Sequence, residues 1–314
     1  MPLVPTSSYR PPLGFANPHL QTIWAGRLRR VEGPGYVRER IATPDDDFLD
    51  LDWSRVGADR AVVISHGLEG SADRAYVRGM AKALNRHGWD ALAWNLRGCS
   101  GEPNRQLRLY HSGATDDLDT VVQYALGRYA TVALVGFSLG GNMTLKYLGE
   151  RGVDAPVARA VAFSVPVDLA ASSVALARWE NAVYMRYFLR SLRGKVRAKA
   201  QQFPNAVDTG GLRALRDFQG FDDRYTAPLH GFTDAADYWA RASSRPFLSA
   251  IRVPTLLVNA ADDPFLASAC YPRDEAEASG HLWLEVPARG GHVGFVSRGA
   301  AYWSETRAAE FLEA

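Results

Sequence analysis

The chain has 314 residues, 47% hydrophobic and 22% charged, a balance that excludes a disordered tail, a collagen-like repeat and a coiled coil. The length permits a large core that needs no disulfide or metal to hold it. Thirty-six Lys and Arg against 34 Asp and Glu leave a net charge of +2, so no global field draws in nucleic acid. The two cysteines, Cys99 and Cys270, make no disulfide framework. No apolar run approaches the roughly 20 residues that span a bilayer, and the N-terminus lacks the basic-then-apolar pattern of a signal peptide. The expectation is a soluble, cytoplasmic protein.

After a Pro-rich lead-in, Tyr36–Ala42 and Asp47–Ser54 read as a hairpin. Leu49, Leu51 and Trp53 alternate with Asp50 and Asp52, the period-two pattern of a half-buried strand. Asp45, Asp46 and Asp47 between them read as a polar turn after Pro44, since no calcium-loop spacing follows. From residue 60, short apolar runs alternate with helical patterns. Strands are expected at 61–65, 89–95, 131–137, 158–165, 255–259 and 281–286. Helices are expected from about Asp73 to a stop at Gly88, from an N-cap at Thr115, over 139–150, and over 301–312. Repeated strand–helix–strand units imply a mainly parallel sheet with helices on both faces. Residues 170–250 interrupt the alternation with helical pattern and no strand. The organisation expected is a single α/β domain over 1–314, with an N-terminal extension 1–35 and a helical cap or lid over about 170–250.

Gly136-Phe-Ser138-Leu-Gly140 sits directly between an expected strand and an expected helix. A nucleophile in such a turn has a strained backbone and projects its hydroxyl above the sheet, and only small residues fit two positions before and after it. A phosphate-binding helix start is the competing reading, but no Lys follows as in a P-loop and no third glycine completes a dinucleotide fingerprint.

A serine needs a base to take its proton. In this topology the order is Ser, acid, His, with the His after the last strand. His292, behind Arg289-Gly-Gly291, fits that place. His87 and His281 read as structural, His66 belongs to another motif, and His111 and His230 are outside candidates. The acid falls after the strand at 255–259, in Asn259-Ala-Ala-Asp262-Asp263-Pro264. Asp263, next to the proline, is preferred to Asp262. Two backbone N–H groups complete the set as an oxyanion hole: that of Leu139, after the serine, and that of Leu68 in the turn His66-Gly-Leu-Glu-Gly70.

With these stretches in view, the sequence resembles the α/β-hydrolase superfamily, and more closely its YheT-like branch. That branch includes eukaryotic abhydrolase-domain lipid hydrolases and yeast medium-chain ester synthases. The resemblance rests on Phe15-Ala-Asn-Pro-His-Leu-Gln-Thr-Ile-Trp24, on Asp47–Trp53, on His66–Gly70, and on Asn95-Leu-Arg-Gly-Cys-Ser-Gly-Glu-Pro-Asn104. Tyr110–Gly113, Gly136–Asn142, Phe221-Asp-Asp-Arg-Tyr-Thr226, Asp262–Phe265 and Gly290–Phe295 extend it over nearly the whole chain. It implies Ser138, Asp263 and His292 as a catalytic triad and carboxylic-ester hydrolysis as the activity; it does not fix the acyl or alcohol group, and short- to medium-chain acyl esters are the expected substrates. Two departures stand out: the membrane segment of eukaryotic relatives has no counterpart here, and Asp46 occupies a turn position where the branch usually has Gly.

Tyr184–Lys199 places Arg186, Arg190, Arg193 and Arg197 on one helical stripe beside Met185, Leu189, Leu192 and Val196. The simple reading is a helix with its charges in water; the sharper one is transient contact with a membrane or lipid surface. Cys99 reads as buried and inert, no Cys/His grouping has zinc-ligand spacing, and no cofactor is implied. An acyltransferase using the same triad, or a non-catalytic small-ligand receptor on the same scaffold, are the competing functions.

Overall fold

A computed structural model describes residues 3–33 and 35–314. Its centre is an eight-stranded sheet in the order β1-β2-β4-β3-β5-β6-β7-β8. The strands are β1 Val37–Ala42, β2 Phe48–Ser54, β3 Arg60–Ser65, β4 Asp90–Asn95, β5 Thr131–Phe137, β6 Arg159–Phe163, β7 Thr255–Val258 and β8 Leu282–Glu285. β2 runs antiparallel to β1 and β4; every other pairing is parallel. Both faces are covered, as a parallel sheet requires. On one face Ala61 and Val63 pack with Leu118, Val121, Met143 and Leu148. On the other, Val62 and Ile64 pack with Val77, Met80, Leu84 and Leu312. The helices concerned are α3 Thr115–Leu126 and α4 Leu139–Arg151 on the first face, and α2 Ala75–Arg86 and α11 Trp303–Glu313 on the second.

Three details differ from expectation. β2 is buried along its whole length, not on alternate residues. Its two carboxylates are covered by β1, where Arg38 pairs with Asp52 and Arg40 with Asp50, so acidic side chains sit inside without being bare charges. Thr115 is the first helical residue of α3 and not its cap, and its hydroxyl bonds Glu150 of α4. The acidic turn does more than reverse the chain. Asp47, fully buried, accepts from Arg97, Asn104 and the Arg105 and Gln106 N–H groups, pinning the loop after β4. At Asp46 φ is +60°, the conformation for which glycine is favoured.

The N-terminal stretch belongs to the body of the fold. Leu3 bridges to Leu284 beside β8, and Tyr9 is buried against Phe295 and Trp303. α1, Pro18–Ile23, is capped by Asn17 and continues as a π-helical turn over Trp24–Leu28. Between β6 and β7 the chain is helical, with α5 Leu169–Leu176, α6 Ala182–Gln202, α7 Phe218–Phe221, α8 Ala227–Leu229 and α9 Ala235–Ala242. α10, Arg273–Glu277, precedes β8. α6 buries Met185, Leu189 and Val196 against Phe218, Phe221 and Phe265. Arg186, Arg190 and Arg197 are exposed on its outer side, whereas Arg193 turns inward to donate to the Leu215 carbonyl. Among the described residues no helix is long and apolar enough to cross a membrane.

Candidate active site

The carboxyl ends of β3, β5, β7 and β8 bring four loops to one place. After β5 the chain turns at Ser138, with φ +52° and ψ −117°, and enters α4 at once. This backbone is strained for any residue with a side chain. The flanking glycines permit it. A Cβ on Gly136 would lie 2.6 Å from the Gly140 carbonyl oxygen and from the Gly141 Cα. A Cβ on Gly140 would lie 2.5 Å from the His66 carbonyl oxygen.

Ser138 Oγ is 2.9 Å from His292 Nε2. On the other side of the ring, His292 Nδ1 is 2.9 Å from Asp263 Oδ2 and 3.1 Å from Oδ1. Asp263 is buried, and its Oδ1 also accepts from the Phe265 N–H. The Phe265 ring lies on the imidazole with centroids 4.1 Å apart, closing one face to water. Asp262 faces elsewhere: it accepts from the Gly291 N–H, with Arg289 3.8 Å away. Burial raises its carboxyl above the ordinary value. Of the two neighbouring carboxylates, then, Asp263 meets the imidazole and Asp262 braces the loop that carries it. His111 and His230 pair with each other, ring centroids 4.8 Å apart, and desolvation lowers the pKa of both.

The turn after β3 faces the serine. The Gly67 N–H donates to the Tyr76 hydroxyl and the Glu69 N–H to the Tyr110 hydroxyl. The Leu68 and Leu139 N–H groups have no protein acceptor among the described residues, and both residues border the cavity beside Ser138. His66 is wholly buried beneath this turn; its Nε2 accepts the Leu96 N–H, which leaves Nδ1–H to donate to the Gly67 carbonyl. Burial lowers its pKa to about 3, so it stays neutral. Glu69, at φ +53°, is held from two directions. Tyr110 bonds its Oε1, while Ser191 and Lys195 of α6 reach Oε2 and Oε1.

Several contacts here carry no local sequence signal. Thr22 of α1 accepts the His292 N–H at 2.9 Å, so the N-terminal segment seats the imidazole loop from 270 residues away. Ser164, after β6, accepts the Val293 N–H. Cys99 is half-buried and not sealed off; its sulfur accepts from Lys195 Nζ at 2.8 Å, and burial raises its pKa.

Two chambers meet at Ser138 and His292. One, of about 120 Å³, is walled by α5, α6, α7 and α9 with Leu169, Leu176, Leu192 and Phe218. The other, of about 280 Å³, lies between the N-terminal segment, the turn after β3 and the start of α6. Among the described residues, no group of three or more His, Cys, Asp or Glu side chains is arranged to hold a metal ion.

Residues 60–298 match the family model described as alpha/beta hydrolase fold. The chain is 36% identical over 318 residues to the Escherichia coli K12 protein named "Putative esterase YheT", covering 98% of this chain and 93% of that one. It is 29% identical to the mouse phospholipase ABHD3, over 93% of this chain and 74% of the relative. It is 28% identical to a monoacylglycerol lipase of Saccharomyces cerevisiae, over 94% and 66%. Among solved structures, the Pyrococcus furiosus esterase Pf2001 superposes with a TM-score of 0.59 at 18% identity, over 88% of this chain and 92% of that one, a likeness of fold. The chain belongs to the α/β-hydrolase family, in its YheT-like branch, and is a hydrolase of ester bonds.

Proposed function

We propose that the chain is a serine carboxylic-ester hydrolase that works through an acyl-enzyme. The observation that carries this reading is the hydrogen-bonded chain from Ser138 through His292 to Asp263. His292 Nε2 takes the serine proton as Oγ attacks the ester carbonyl. The N–H groups of Leu68 and Leu139 receive the oxyanion, and Asp263 orients the ring and stabilises its charge. The proton passes to the departing alcohol; a water, deprotonated by His292 in turn, then releases the acid. The smaller chamber, with its Leu and Phe walls, suits a short- to medium-chain acyl group.

The test is turnover of p-nitrophenyl esters from acetate to laurate by the chain and by Ser138→Ala. The reading expects activity that peaks at short or medium acyl length and falls by about 10³-fold or more in the variant, which has lost its nucleophile. Unchanged turnover in Ser138→Ala would exclude it.

A lipid surface as partner has its own support. Ile23 and Val183, 41% and 69% exposed, stand at the larger chamber, and Trp179, 83% exposed, precedes Val183 by one helical turn's length. Exposed Arg178, Arg186 and Arg190 lie along the same stretch. Apolar side chains among cations fit an anionic membrane. Co-sedimentation with anionic vesicles should weaken in Arg186→Glu/Arg190→Glu, and equal binding of both proteins would remove the idea.

A further inference from the structure

The larger chamber holds a charge imbalance that hydrolysis of a plain ester does not require. Its lining contains two guanidiniums, Arg27 and Arg74, and no carboxylate. Both are organised by one residue of α6: Arg27 lies 4.0 Å over the Tyr187 ring, and Arg74 donates to the Tyr187 hydroxyl at 2.8 Å. Arg74 also donates to the Glu69 carbonyl from the same nitrogen. Its Nε and second terminal nitrogen, and every donor of Arg27, have no acceptor among the described residues. Buried Arg97, by contrast, is matched by Asp45, Asp47 and Asp117. Arg27 is exposed and Arg74 half-buried; uncompensated guanidiniums beside apolar surface attract an anion, because a planar fork binds phosphate or carboxylate oxygens in pairs.

His292, from which the leaving oxygen must receive its proton, lines both chambers, and its neighbour Val293 lines the larger one. Resting on the reading of Ser138 as nucleophile, we propose that the larger chamber takes the alcohol half of the ester. We propose further that this alcohol carries an anionic group, a phosphate or carboxylate, bound by Arg27 and Arg74. In the acylation step the Ser138 Oγ–acyl bond forms and the acyl–alcohol bond breaks. The serine proton travels through His292 Nε2 to the alcohol oxygen, and the anionic group leaves unchanged with that alcohol.

The experiment compares three octanoyl esters below their micellar concentrations: 1-octanoylglycerol, 1-octanoylglycerol 3-phosphate and 3-(octanoyloxy)propanoate. Each is assayed with the chain, Arg27→Gln, and Arg27→Gln/Arg74→Gln. Ratios of kcat/KM between anionic and neutral esters within one protein cancel any loss of active enzyme. The expected ratio for the phosphate ester is at least about tenfold in the unaltered chain, mostly through KM. It should fall about tenfold in Arg27→Gln and approach one in the double variant. A preference on the phosphate arm alone identifies a phosphate monoester as the group recognised; a preference on both arms identifies negative charge in general. Turnover of the neutral ester with no anionic preference, or a preference the substitutions leave intact, would overturn the proposal. No turnover of any of the three would instead strike at the ester-hydrolase reading on which it rests.

Discussion

Asp262 and Asp263 are adjacent in sequence, but the structure gives them different partners, and removing one negative charge at a time separates their proposed roles. In Asp263→Asn the amide has one acceptor oxygen where two carboxylate oxygens now face His292 Nδ1, at 2.9 and 3.1 Å. The larger loss is electrostatic. In the proposed mechanism the imidazole becomes positive as Ser138 attacks, with its charge centre about 4 Å from that of the carboxylate. At an effective dielectric of about 20 that pair is worth roughly 4 kcal/mol, or about 10³-fold in rate. A wrongly turned amide would also favour the wrong imidazole tautomer and deepen the loss. Asp262→Asn keeps an acceptor for the Gly291 N–H, and its second oxygen has no hydrogen-bond partner to lose. That variant should keep kcat/KM within about tenfold, the cost of one weakened brace. The assay is steady-state hydrolysis of p-nitrophenyl butyrate, with active-site titration to correct for misfolded protein. Equal losses in the two variants, or the larger loss in Asp262→Asn, would refute the assignment.

Three further outcomes follow from other contacts. His66 has its folded pKa depressed to about 3 from 6.5; the neutral ring's stabilisation is complete above pH 6.5 and drains away as pH falls towards 3. Urea unfolding of His66→Gln should therefore show a slope of stability against pH shallower by up to about 1.4 kcal/mol per pH unit across that window; an unchanged slope would mean the ring is not kept neutral. Gly136→Ala drives a methyl into backbone atoms that cannot swing aside and should cost about 3 kcal/mol or more in urea denaturation; a loss below 1 kcal/mol, again by roughly the overpacking scale, would show that the elbow relaxes. Thr22→Val removes the acceptor of the His292 N–H. It should lower kcat by about tenfold, the cost of leaving a part-buried donor unpaired, and unchanged kcat would show that α1 does not seat the imidazole.

How much of this could be read from the chain depends on how local its cause is. The alternation of buried runs such as Ala61–Ile64 with amphipathic stretches such as Ala75–Arg86 is local, and strands and helices lie within a few residues of expectation. The elbow is local too, since Gly136 and Gly140 flank one residue. Pro264 favours Asp263 over Asp262, but adjacent side chains differ in direction through a backbone turn that spacing does not reveal. β2 looked half-buried because Asp50 and Asp52 are acidic; the arginines that bury them sit on another strand. The Pro-rich lead-in gave no hint that Thr22 would hold the loop of His292, and the grip of Ser191 and Lys195 on Glu69 crosses more than 120 residues. These are tertiary pairings between ordinary polar residues, which carry no periodicity.

Ser138 as the proposed nucleophile can be tested directly. Treatment with a fluorophosphonate followed by intact-protein and peptide mass measurement should give one adduct, located on Ser138. The adduct should be absent in Ser138→Ala and form far more slowly in His292→Ala. An adduct on another residue, or undiminished labelling of Ser138→Ala, would contradict it.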